Sequence, residues 1–296
     1  MRSALAFAAL LNAGLLQAAD HTVASLLEGK LVAALQRFDE KFAGALGVAA
    51  IDLETGRAFS VNGDVVFPQA SSIKIPILIR MFQAERAGEF RFSDTVTLTE
   101  KDIAGGSGHL RNAILKGPVA LSILELVTAM METSDNTATN KCIEMVRMER
   151  VNRTLDELGF VSTRLRRRMM DAEAVARSEE NISTPLEMAR LVERLYRGRI
   201  IDERASAGMI EIMKKVKGGM SAGVPKGTAT ASKTGGVPGV SCETGIVYLT
   251  RRPFVLSVMS TYIGEGQSPV EAVTRIVYAH FEKLARANRY GHRISQ

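Results

Sequence analysis

Lys74 puts an ammonium group into QASSIKIPIL, residues 69–78, with Ile73, Ile75, Ile77 and Leu78 around it. If the segment opens a helix, Lys74 lies three residues after Ser71 on the same face, so amine and hydroxyl can meet. A serine hydroxyl is a poor nucleophile until a base takes its proton. Lys74 can be that base if burial and neighbouring cations hold its amine partly neutral, and a helix N-terminus beneath Ser71 favours developing negative charge. Two triplets follow: Ser134-Asp135-Asn136 at the start of a predicted helix, and Lys233-Thr234-Gly235 at the end of a predicted strand. Taken singly, each has a plain structural explanation: Ser71 as an N-cap, Lys74 as a snorkelling chain, Asp135 as a cap, Gly235 as a turn. All three in this order with these intervals are far rarer.

The elements that must position these residues need a large core, and 296 residues with 46% hydrophobic content can supply one. The net charge of +6 comes with only 5% aromatics and no Trp. Without aromatic interleaving or a binding motif, the basic excess reads as solvated surface and not as a nucleic-acid site. The densest basic run is RLRRR at 164–168. Residues 1–19 carry one Arg, an apolar run from Ala4 to Leu16 and small residues at Ala18 and Ala19, the pattern of a signal peptide. Export to the periplasm or medium is expected, with no membrane insertion of the mature chain. Cys142 and Cys242 are expected to be unpaired, buried thiols, and four scattered histidines give no metal-ligand spacing. No cofactor is implied.

Residues 22–39 have helical periodicity, and GVAAIDLETGRAFSVN reads as a hairpin turning at Glu54-Thr55-Gly56. From about 68 to 200 the pattern is helical; its clearest segments are SILELVTAMMETS, TATNKCIEMVRM, VNRTLDELG and TPLEMARLVERLYRG. The last is entered by Thr184, with Glu187 placed for a capping box. Residues 228–235, 244–250 and 254–262 are strand-like, and 268–287 form a closing helix. The α/β expectation is one antiparallel sheet flanked by terminal helices, with an all-helical lobe inserted: a single domain over 20–296, its αβ lobe at 20–66 and 205–296 and its helical lobe at 67–204. The cleft between lobes is the expected site.

SSIK, SDN and KTG in this order resemble the class A β-lactamases and related penicillin-binding proteins. The likeness extends to GGSGHL at 105–110 and TPLEMA at 184–189. The resemblance implies an oxyanion hole from the backbone N–H groups of Ser71 and Gly236, and Ser134 as the relay to the departing nitrogen. It also implies that Asn136 holds the substrate amide and contacts Lys74, and that Lys233 and Thr234 meet the substrate carboxylate. Gly235 and Gly236 would let a substrate lie along the strand edge.

Two departures stand out. Class A β-lactamases carry a loop Glu that positions the water for deacylation. In TRLRRRMMDAEAVARSEENISTP the matching position falls on Met169, or on Arg168 when counted back from Thr184. Glu173 could reach that water from a rearranged loop, and Asp171 could instead pair with the RLRRR guanidinium groups. No Arg follows KTG either: Cys242 stands near that place, leaving Lys233, Thr234 and Arg275 for carboxylate recognition. The first functional expectation is therefore a monomeric serine β-lactamase acting through an acyl-Ser71. The alternative is a D-alanyl-D-alanine carboxypeptidase acting on a peptidoglycan-like peptide and inhibited by β-lactams; a noncatalytic β-lactam sensor ranks last.

Overall fold

A computed structural model describes residues 22–294; the leader expected at 1–19 lies outside them. The chain opens with α1 (Val23–Lys41), whose first turn is capped by the Thr22 hydroxyl. The hairpin β1 (Ala45–Asp52) and β2 (Ala58–Val61) follows, its turn passing through Gly56 at φ 74°. After β3 (Phe67–Pro68) comes a 3-10 turn, Ala70–Ile73, that runs directly into α2 (Lys74–Arg86). Short pieces β4 (Thr95–Leu98), α3 (Leu110–Ile114) and β5 (Val119–Ser122) precede three helices: α4 (Ile123–Glu132), α5 (Asn136–Val146) and α6 (Met148–Glu157). A loop containing α7 (Ala172–Ala176) leads to β6 (Ile182–Ser183), α8 (Pro185–Tyr196), α9 (Glu203–Met213) and α10 (Gly219–Ala222). The chain returns to β structure as β7 (Thr230–Val237), β8 (Val240–Val247) and β9 (Phe254–Thr261), and α11 (Val270–Ala285) packs on α1.

Both chain ends build the main sheet, in the antiparallel order β2-β1-β9-β8-β7. Alternation along each strand divides its residues between two cores. Val48, Ala50, Leu256 and Val258 join α1 and α11 on one face. Ala49, Ile51, Ala231, Ile246 and Val255 face the helices of the middle segment. Within that second core α2 is buried nearly all round, from Lys74 to Phe82, as expected of a helix apolar on every side. Its one buried arginine, Arg80, is met by Glu89, which also takes both nitrogens of Arg150 on α6.

This packing leaves β7 as a sheet edge lying against the 3-10 turn that carries Ser71. A two-residue ladder, β3 with β6, fixes the entry to that turn, and Gln69 N–H donates to Asn181 O at 2.8 Å. The helical periodicity of 68–200 concealed these short strands, because two-residue ladders are set by non-local pairing and leave no alternation to read.

The capping box expected at α8 is only half formed. Thr184 Oγ1 accepts from Glu187 N–H at 3.1 Å, but the Glu187 carboxylate turns away to accept from Ser162 N–H and from the Thr163 hydroxyl at 2.6 Å. It thus ties α8 to the start of the 162–181 loop. Thr184→Ala should therefore cost about 1 kcal/mol as a lost cap. Glu187→Ala, which strands two donors, should cost about 2 kcal/mol or more. Urea unfolding of both variants checks this, and equal losses would contradict the division of roles.

Candidate active site

The 3-10 turn makes the relation between Ser71 and Lys74 stricter than a helix would, because residues i and i+3 of a 3-10 turn eclipse. Of the two adjacent serines only one is available. Ser72 is fully buried, and its hydroxyl is spent on Gln69 O at 2.9 Å and Gln69 Oε1 at 2.5 Å. Ser71 is half-buried, and its hydroxyl makes no hydrogen bond among the described residues. Ala70, just before it, holds φ at +40°, a left-handed conformation that a non-glycine residue adopts only under constraint from its surroundings.

Lys74 is completely buried, and its Nζ lies within hydrogen-bond distance of Ser134 O at 2.8 Å, Ser134 Oγ at 3.0 Å and Asn136 Oδ1 at 3.1 Å. Two N–H donors and one lone pair of a neutral amine are all used by these three contacts. The direct hydrogen bond expected between Lys74 and Ser71 is therefore not formed here. The amine is turned toward the second serine. Lys233, also fully buried, reaches the same hydroxyl: its Nζ lies 3.2 Å from Ser134 Oγ and 2.9 Å from Thr234 O. One hydroxyl thus stands between two lysines from opposite sides of the cleft.

Electrostatics follow from that burial. Desolvation first, then the positive charge of Lys233, holds the Lys74 amine well below the ordinary lysine range, against opposing influence from Asp135 and Cys142. Burial brings Lys233 down to about 8, with Cys242 and Glu243 acting in the other direction.

The Ser134 segment is held from beneath. Ser134 has φ +56°, and the buried Asp135 side chain accepts from Ala138 N–H and Leu110 N–H, both at 2.9 Å, capping α5 and anchoring the start of α3. Asn136 is clamped by its own amide, which donates to Gly105 O at 2.9 Å. On β7, Thr234 is half-buried with a hydroxyl that makes no hydrogen bond among the described residues. At Gly235 a Cβ would lie 2.6 Å from Gln69 O and 2.8 Å from Ser72 N, so only glycine lets the strand approach the Ser71 turn. At Gly236 a Cβ would meet only Val240 O, at 3.8 Å, and the residue is exposed along the free edge.

The loop facing this cluster carries no carboxylate at Met169. Asn140 on α5 grips the Met169 backbone twice, donating to its O at 3.1 Å and accepting from its N–H at 2.8 Å. The Met169 side chain is buried in the core. Met170, at φ +63°, is exposed and reaches over Gly105 and Gly106 beside the Asn136 amide. Asp171 does not pair with RLRRR; its side chain caps α7 by accepting from Ala174 N–H at 3.0 Å. Arg167 is bound instead by Glu180 at 2.8 Å, and Arg164 by Asp156. Glu173 lies exposed on α7, outside the hydrogen-bonded cluster around Lys74. Arg275 is engaged by Glu271 on the exposed side of α11. Asn140, Asn181 and Glu180 were missed from sequence; Asn140 had a signal, standing four residues after Asn136 and hence on the same helical face.

A family profile described as the beta-lactamase enzyme family matches residues 30–281. The chain belongs to that family. Beta-lactamase ROB-1 of Haemophilus influenzae is 26% identical over 238 residues, covering 78% of this chain and 76% of that one. Beta-lactamase 3 of Bacillus cereus is 26% identical, covering 79% and 75%. Among solved structures, PBP-A superposes with a TM-score of 0.78 at 28% identity, covering 86% of this chain and 96% of that one. A beta-lactamase from Sphaerobacter thermophilus gives 0.77 at 28%, covering 86% and 97%. The described residues of this family member also confirm two free, buried thiols, and no helix among them is long and apolar enough to cross a membrane.

The two amines should be visible by titration. A lysine Nζ resonance followed by NMR should titrate at about 8 and be missing from Lys233→Arg. A protein whose lysines all titrate near 10.4 would contradict the burial argument.

Proposed function

We propose that the chain is a serine hydrolase that opens β-lactam rings through an ester on Ser71. The observation that carries the reading is the Ser134 hydroxyl held between two buried lysine amines, beside an accessible serine. Ser71 Oγ attacks the ring carbonyl as its proton passes to the neutral amine of Lys74, a contact that closes when substrate displaces the resting hydrogen bonds. The backbone N–H groups of Ser71 and Gly236 receive the oxyanion. As the C–N bond breaks, the ring nitrogen takes the Ser134 proton, and Lys74 returns a proton to Ser134. Lys233 as an ammonium and Thr234 as a donor hold the substrate carboxylate, and Asn136 orients the side-chain amide. We place this chemistry outside the cytoplasm on the strength of the leader at 1–19.

Deacylation sets this member apart. A buried ester is hydrolysed quickly only with a base beside the water, and the gripped loop position is a thioether. With Asp171 committed to its cap, Glu179 to Arg177 and Glu180 to Arg167, Glu173 is the loop carboxylate left to approach the ester. The same observation favours a second reading, a D-alanyl-D-alanine carboxypeptidase that β-lactams inhibit. A mutant of PBP-A, 27% identical to this chain, was determined as an acyl-enzyme complex with penicillin G.

Penicillin should leave an adduct on Ser71 detectable by intact mass, and Ser71→Ala should abolish it; no adduct on the native protein would remove the whole scheme. A chromogenic cephalosporin should give a stoichiometric burst followed by slower turnover. Met169→Glu should speed the second phase by about tenfold or more, within the usual range for a general base, and leave the burst rate unchanged. An unaltered second phase would show that position 169 does not face the ester.

A further inference from the structure

Beneath Ser71 lies a buried polar cluster, Gln69, Ser72 and Cys242, that the mechanism above does not use. Gln69 is tied on several sides. Its N–H donates to Asn181 O at 2.8 Å, its Nε2 reaches Met259 Sδ on β9 at 3.2 Å, and its Oε1 accepts from the Ser72 hydroxyl at 2.5 Å. Its carbonyl oxygen accepts from Ser72 N–H, closing the 3-10 turn, and from the Cys242 thiol, each at 2.9 Å. Burial pushes that thiol up to about 11, so it keeps the proton it donates.

Cys242 can reach Gln69 O because of what faces it. Gly235 stands directly opposite in the ladder, and opposed residues of an antiparallel pair point to the same face. A Cβ at Gly235 would lie 2.6 Å from Cys242 Sγ and 2.6 Å from Gln69 O, so the sulfur passes through the space that a side chain there would fill. Sγ also lies 3.6 Å from Gly235 O. One sulfur thus touches two stretches of backbone: Gln69, just upstream of the Ser71 N–H, and Gly235, just upstream of the Gly236 N–H. Those N–H groups are the two donors assigned to the oxyanion. Between Gln69 and Ser71 stands Ala70 at φ +40°, a conformation that persists only while its neighbours hold it.

We propose that Cys242 is a positioning residue for acylation: by donating to Gln69 O it clasps the Ser71 turn to the β7–β8 hairpin and fixes the spacing of the two oxyanion donors. This rests on the acyl-Ser71 reading, since it is the tetrahedral oxyanion that needs both donors at once. A donor displaced by a fraction of an ångström weakens the transition state more than the ground state, so the loss falls on the acylation step and not on binding.

The test is the concentration dependence of Ser71 acylation by penicillin, quenched and read by intact mass, in the native protein, Cys242→Ala and Cys242→Ser. Cys242→Ala should acylate about tenfold more slowly at saturating penicillin, with an unchanged dissociation constant for the noncovalent complex. Cys242→Ser, which keeps a donor beside the same two oxygens, should acylate at the native rate. The infrared carbonyl stretch of the adduct is a readout that a purely structural role would not move: it should rise in Cys242→Ala, where the ester carbonyl is less polarised, and return to the native value in Cys242→Ser. Native acylation by Cys242→Ala, a loss shared by Cys242→Ser, a loss carried by the dissociation constant, or an unmoved carbonyl stretch would overturn the proposal. Should Cys242→Ala fail to fold, Cys242→Val, which fills the space without a donor, takes its place with the same readouts. Failure of both to fold would assign the thiol to stability and equally overturn the proposal. Absence of any adduct in the native protein would instead sink the hydrolase reading itself.

Discussion

Two lysine amines buried against one serine hydroxyl are the constraint on which the rest of this structure depends. In water both would be protonated and would carry full hydration shells. Here Lys74 and Lys233 are fully buried, 3.0 and 3.2 Å from Ser134 Oγ. Desolvation acts against both charged forms, and the charge of Lys233 acts further against that of Lys74. Arginine at either place could not respond by losing a proton, whereas lysine can, and this is what turns a structural cost into a base. The two amines do not respond equally. Burial alone brings Lys233 to about 8, while Lys74 is lowered further by the charge of Lys233 beside it.

The fold exists around that pair as two cores meeting at a seam. One face of the sheet, with α1 and α11, makes a platform; the other merges with the helices around α2. Lys74 arrives from the buried end of α2, Ser134 from the turn before α5, and Lys233 from the edge strand β7. Each is locked by a local device: Ala70 and Ser134 in left-handed backbone, Asp135 capping two helices, Gly235 admitting the strand against the Ser71 turn. Strained residues of this kind cost about 1–3 kcal/mol each, and the surrounding packing must over-determine them.

Much of this was legible before any coordinates. The three motifs are short, local and separated by strong periodicity, so their elements and order could be read, as could the α/β architecture from strands at both ends. What stayed hidden was non-local. Arg167 announced a need for an acid, but that the partner is Glu180 and not Asp171 depends on how α7 caps itself. The eclipsed 3-10 turn at Ser71 cannot be told from a helix start by spacing. Nor does spacing tell that Lys74 rests on Ser134 and Asn136, because that choice is made by a turn sixty residues away. The loop showed the opposite: the absence of a carboxylate was plain in the sequence, and the structure added that Asn140 holds the thioether residue in place.

Neutron diffraction from crystals of the free protein at about pH 8, where an ordinary lysine with a pKa near 10.4 is fully protonated, tests the central claim most directly. Two deuterons on Lys74 Nζ, with its lone pair toward a serine hydroxyl, are the expected result. Three deuterons on that nitrogen would mean that burial has not made it a base, and the account of how Ser71 is activated would fail.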